Sequence, residues 1–155
     1  MAYIIEGLSP QQFERFIGMP DGELAAYNAI RYAVTNKPGF PCRITLEDAE
    51  LGETAILVNH VSRDEDTPFR ASHAIFVRET AVAPARFEDE IPPVLRTRAL
   101  SLRGFDAAGM MADAMTTEPG GAEEGLLKLF ADPRIVEVDA HNVARGCFLA
   151  RARRT

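Results

Sequence analysis

The hydrophobic pattern opens with a short apolar run, Tyr3, Ile4 and Ile5, that suits a strand, and then changes to helical spacing. Ser9-Pro10-Gln11-Gln12 has the form of a helix start, with Ser9 as cap, Pro10 in the first turn and Gln12 closing a capping box. Phe13, Phe16 and Ile17 follow at helical spacing and predict a helix to about Gly18, and residues 20–28 predict a second short helix carrying Leu24 and Ala25. The period then becomes two: Ile30, Tyr32 and Val34 alternate with Arg31 and Ala33, which predicts a half-buried strand ended by Asn36-Lys37-Pro38-Gly39. Pro41 holds the residue before it extended, so residues 40–43 read as an irregular segment. A second capping box, Thr45-Leu46-Glu47-Asp48, opens a turn that closes at Gly52.

Residues 54–61 are apolar on both faces and predict a central strand, followed by a solvated acidic turn at 63–66. Residues 72–79 predict another strand, with His73, Ile75 and Val77 on one face and Ser72, Ala74, Phe76 and Arg78 on the other. After a loop at 84–93 and a helical turn from Pro93 to Arg96, residues 99–106 and 110–115 form a hairpin across Ala107-Ala108-Gly109. A linker at 116–121 leads to a helix at 122–131 that buries Leu126, Leu127 and Phe130 and stops at Asp132-Pro133. Two strands, 134–141 and 146–153, complete the chain. Strands follow one another through short turns, without the strand-helix alternation of a parallel sheet. The expected fold is therefore α+β, a mainly antiparallel sheet with about three short helices packed on one side, in a single domain over residues 1–155.

Composition narrows the partners. The chain is 46% hydrophobic and 26% charged, which supports an ordinary core, and its net charge of -6 argues against nucleic acid, whose phosphates call for a basic face. The basic residues are nearly all arginine, with Lys37 and Lys128 as the lysines, a bias that codon usage plainly explains, with selection for guanidinium forks as the alternative. No segment has the length and apolarity of a signal or membrane span, and the two cysteines, Cys42 and Cys147, suit a reducing compartment, so the expected location is the cytoplasm.

Two constellations carry chemistry. In the last hairpin, keeping Val136, Val138 and Ala140 on one face with Phe148, Ala150 and Ala152 sets Glu137 opposite Arg151, Asp139 opposite Leu149 and His141 opposite Cys147. That register brings the thiol of Cys147, the imidazole of His141 and the carboxylate of Asp139 to one face, as a thiolate nucleophile, its base and an orienting group. The same residues also suit a structural strand end, since cysteine is a common buried filler and a histidine there often bonds a carbonyl. The second constellation is Cys42 and Arg43 with Arg70, Ser72 and His73, in which the arginines suit a carboxylate or phosphate held bidentately; ion pairing to Glu47, Asp48 or Glu79 is the plainer alternative. His60, His73 and His141 with the cysteines lack metal-ligand spacing, and the glycines follow no phosphate-loop pattern, so no metal and no cofactor is expected.

Four segments carry a family resemblance: Lys37 through Arg43, Ser72 through Glu79, Phe105-Asp106 with Gly109-Met110-Met111, and His141-Asn142 with Gly146-Cys147. Together they resemble the bacterial domain-of-unknown-function family 1203, across nearly the whole chain. The resemblance implies no activity, substrate or catalytic residue. The chain departs from the pattern after Asp113, where Ala114-Met115-Thr116-Thr117 replaces an expected polar, acidic stretch. The leading expectation is a small-molecule- or anion-binding domain, a small anionic ligand among its partners, whose pocket is lined by Arg43, Arg70, His73, His141 and Asn142. The alternatives are an enzyme using Cys147 or Cys42 as a thiolate with His141 or His73 as base, and an interaction module, which would leave room for a homodimer.

Overall fold

The computed structural model describes residues 2–155. Its strands are β1 (Tyr3–Glu6), β2 (Ile30–Ala33), β3 (Thr54–Arg63), β4 (Ala71–Arg78), β5 (Arg86–Glu88), β6 (Leu100–Phe105), β7 (Met111–Thr117), β8 (Glu137–Asn142) and β9 (Phe148–Arg154). The helices are α1 (Asp21–Ala25), α2 (Pro93–Arg96) and α3 (Ala122–Phe130), and none is long and apolar enough to cross a membrane. All ladder pairings are antiparallel, in keeping with the expected α+β class, but the strands divide between two sheets. One has six strands in the order β5-β1-β9-β8-β6-β7, and the other three in the order β2-β3-β4.

The six-stranded sheet has one apolar and one polar face. Leu100, Leu102, Val138, Ala140 and Ala150 form the apolar face, and Leu126, Leu129 and Phe130 of α3 pack on it. The helix lies close because Gly125 has no side chain: a Cβ there would stand 2.6 Å from Leu102 Cδ1. Leu127, expected on the buried side, is 46% exposed, because the helical stripe through Ala122, Leu126 and Leu129 turns it outward. The three-stranded sheet buries Ile56, Val58, Ile75 and Val77 against Phe13, Phe16 and Leu24 from the start of the chain.

Local expectations fail where tertiary contacts outweigh short-range signals. Two 3-10 turns, Pro10–Gln12 and Glu14–Phe16, replace the first helix, and the Ser9 hydroxyl bonds the Gln11 side chain and caps nothing. Phe13 and Phe16 are three apart and both buried, a spacing a 3-10 turn satisfies, and Ile17 then leaves in an extended conformation. The second capping box opens a turn, as expected, and within it Leu46 is fully buried at φ 55°. β2 is an edge strand, not a half-buried one, with Ile30 52% exposed. β5 was not expected at all, being three residues paired to the edge of β1.

The largest correction concerns the last hairpin. The ladder pairs Glu137 with Arg153, Asp139 with Arg151 and Ala140 with Ala150, and a bulge at Leu149 then pairs His141 with Phe148 instead of Cys147. The shift follows from charge. Asp139 is fully buried on the polar face, and in this register Arg151 lies beside it, donating Nε to Oδ1 at 2.6 Å and Nη2 to Oδ2 at 3.0 Å. From the other sheet comes Arg63, 3% exposed and the last residue of β3 where a solvated turn was expected. It donates Nε to Asp139 Oδ2 and Nη2 to Glu137 Oε2, both at 2.9 Å, and its guanidinium carbon lies 3.6 Å from the Phe105 ring centre. The two sheets are thus joined through a desolvated ion-pair network. Asp139→Ala would remove the one fully buried carboxylate of the cluster and leave Arg63 and Arg151 only the carboxylates of Glu137 and Glu65 at its margin, and a loss of about 3–5 kcal/mol in unfolding free energy is the expected outcome in urea denaturation.

Candidate functional site

Residues 41–43 lie along the free edge of β4. Cys42 bridges Phe76 in parallel, the Arg43 amide donates to Phe76 O at 3.2 Å, and the Leu8 amide donates to Arg43 O at 2.8 Å. The close approach of the chain after β1 requires Gly7, where a Cβ would stand 1.9 Å from Ile44 O. Arg43 is thereby pressed inward until it is 2% exposed. Its Nε donates to Phe148 O at 2.8 Å, Nη1 to Pro41 O at 2.7 Å and Nη2 to Cys147 Sγ at 3.4 Å. All three acceptors are backbone carbonyls or sulfur, and among the described residues no carboxylate pairs with this guanidinium. Burial pushes Arg43 down to about 10, which the sulfur of Cys147 partly offsets, so the group stays cationic at neutral pH.

Cys147 enters from the turn between β8 and β9. Gly146 at φ 76° closes that turn, with Asn142 N donating to Cys147 O at 2.9 Å and Asn142 Nδ2 to Cys147 Sγ at 3.0 Å. The thiol is free and half-buried, and it opens on a groove of about 960 Å³. One wall is aromatic: Phe40 and Phe76 have ring centres 4.9 Å apart, and Tyr32 meets Phe76 edge-on at 5.5 Å. The lining also includes Asn142, Arg145, Arg98 and His73. Arg98 is neutralised by Asp48, to which it donates two bonds at 2.6 and 3.0 Å, while Arg145 is exposed and makes no ion pair among the described residues.

Of the residues singled out in the sequence, Arg43, His73, Asn142 and Cys147 line this groove together. Cys42 lies behind it, 1% exposed, its sulfur taken by the amides of Ile44, Thr45 and Arg78. Arg70 and Ser72 are outside: Arg70 pairs with Asp64 at 2.6 Å on the surface, and Ser72 is exposed near the end of β4. Cys147, His141 and Asp139 do not meet as a relay. Asp139 is occupied by Arg63 and Arg151, and His141 Nδ1 is bonded to Gly146 O at 2.9 Å. The aromatic wall, Arg98 and Arg145 were missed. Arg145 alone left a signal, as a charged residue inside a turn already of interest, whereas the wall is assembled from three distant segments.

Of the three histidines His73 lines the groove, while His60 and His141, the latter expected in the pocket, adjoin His73 and do not line it. His60 and His73 are cross-strand partners on β3 and β4, and His73 meets His141 edge-on at 4.9 Å. His73 Nδ1 is buried with no hydrogen-bond partner among the described residues. Burial, reinforced by nearby arginines, lowers all three, and His141 falls to about 4. No group of these residues with the cysteines or acids forms a metal site among the described residues.

Residues 39–154 match the family model described as protein of unknown function (DUF1203), so the chain belongs to that family. No curated protein and no solved structure matches the chain. The matched span includes Phe40, Phe76 and every charged residue of the groove, and leaves Tyr32 outside.

The histidines make stability pH-dependent in a defined window. Below the ordinary value of 6.5 an unfolded His141 takes up a proton that the folded one refuses until about 4, so stability is full above 6.5 and falls as the pH drops towards 4. The expected loss from His141 is about 3 kcal/mol. Urea titrations at pH 7 and pH 4.5 measure it, and in His141→Gln, which keeps a donor for Gly146 O, the slope flattens.

Proposed function

We propose that this DUF1203 protein binds a small organic anion in the groove between the aromatic wall and the turn linking β8 and β9. The observation that carries the reading is the charge of Arg43, a buried guanidinium met by carbonyls and a sulfur where the other deeply buried arginine, Arg63, is met by carboxylates. A buried cation without its own anion favours a ligand that supplies one. Arg145 adds a second unpaired cation at the rim, and Asn142 adds an amide donor. Tyr32, Phe40 and Phe76 suit a flat apolar body, so the ligand class is an aromatic or similarly planar carboxylate or phosphate. The unpaired state of both cysteines suits work in the cytoplasm.

Phenyl phosphate and benzoate serve as probes, with benzamide as the uncharged counterpart. Calorimetry is expected to show heat of binding for the two anions and none for benzamide. Arg145→Ala, at an exposed residue without an ion pair, is expected to weaken phenyl phosphate about tenfold without changing the melting temperature. Equal binding of benzamide, or binding of neither anion, overturns the reading.

A further inference from the structure

We propose that Cys147 is a modification site for hydroperoxides, its sulfur becoming a sulfenate held by Arg43 and Asn142, and that this oxidation closes the groove to organic anions. The oxidation itself stands on the geometry around the sulfur; only the closure rests on the anion-binding reading given above.

The cysteine does not stand alone. Two donors from different elements converge on its sulfur, Arg43 Nη2 at 3.4 Å and Asn142 Nδ2 at 3.0 Å, and Arg43 is a buried cation that no carboxylate of the described residues neutralises. An oxygen anion added to Sγ would therefore form within reach of two N–H groups and a positive charge already in place. Cys147 lines the groove of about 960 Å³ and is partly exposed, a route from solvent wide enough for a small peroxide. Cys42 is the internal contrast: it is 1% exposed, enclosed in the core with Ile44 and Val77, and its sulfur is occupied by three backbone amides. One chain thus holds a thiol open to oxidants and another closed to them.

In the step, the Cys147 thiol gives up its proton to water and the sulfur attacks the terminal, hydrogen-bearing oxygen of the hydroperoxide. An S–O bond forms as the O–O bond breaks, and sulfur is oxidised while the peroxide is reduced. The departing alkoxide takes the proton of that hydroxyl and leaves as an alcohol, or as water when hydrogen peroxide is the oxidant. The sulfenate keeps the negative charge, and that charge satisfies Arg43 in place of a ligand.

The test uses the unmodified protein, treated with hydrogen peroxide in the presence of dimedone and mapped by peptide mass spectrometry. The dimedone adduct is expected on the Cys147 peptide and not on the Cys42 peptide. Asn142→Ala removes one donor to the sulfur and is expected to lower the adduct yield about tenfold, the loss of one charge-assisted hydrogen bond. An unlabelled Cys147, labelling equal to that of Cys42, or a yield that Asn142→Ala leaves unchanged overturns the modification site. For the closure, phenyl phosphate binding is measured before and after oxidation: its loss supports closure, and binding that survives a fully oxidised Cys147 overturns it. If phenyl phosphate fails to bind the untreated protein, the groove reading falls while the labelling still decides the oxidation.

Discussion

Asp139 is fully buried, and each of its oxygens accepts from both Arg63 and Arg151. Taking a carboxylate and two guanidinium groups out of water is costly unless every charge finds a partner, so this cluster admits few alternatives. It fits the register of the last hairpin, in which Arg151 lies beside Asp139 and donates two bonds to it from within the same sheet. It also sets how the two sheets meet, because Arg63 reaches Asp139 from the end of β3. The groove forms where the sheets and the segment at 36–43 come together, and its position follows from that joint.

Arg43 stands as the counterpart of Arg63. Both are nearly inaccessible, yet one faces carboxylates and the other faces carbonyl oxygens and a thiol. The difference separates a charge used to hold the fold from a charge held ready beside an opening. Cys147 and Asn142 share a turn whose geometry depends on Gly146, so the sulfur and its amide donor arrive together at the guanidinium. Binding of an organic anion and oxidation of the thiol are two ways of meeting the same electrostatic demand, which is why the one is expected to exclude the other.

Much of the site was legible because its residues carry chemistry by type. An arginine beside a cysteine after Pro41, a histidine on an apolar strand face, and a His-Asn…Gly-Cys turn are visible without a structure. Arg70 and Ser72 were grouped with them because they adjoin His73 in the chain, but a strand alternates its faces and leaves Arg70 at the surface with Asp64. Asp139 was visible as a carboxylate on the hairpin, yet its partner Arg63 comes from a different sheet and no local period predicts that. The bulge at Leu149 was equally hidden, and it moves Phe148 to the face of His141 and pulls Cys147 out of register with the histidine.

The sequence by itself determined the fold class, the places of most strands along the chain, the helix near the end and the turn at Gly109, because hydrophobic period and turn chemistry act over a few residues. The tertiary structure alone decided that there are two sheets, that Asp139 is consumed in joining them, and that Arg43, Cys147 and Asn142 share one opening with an aromatic wall. Those outcomes depend on which charges are buried together. Burial of charge is a property of the whole chain, since a guanidinium is tolerated in the interior only when groups remote in sequence are brought to meet it.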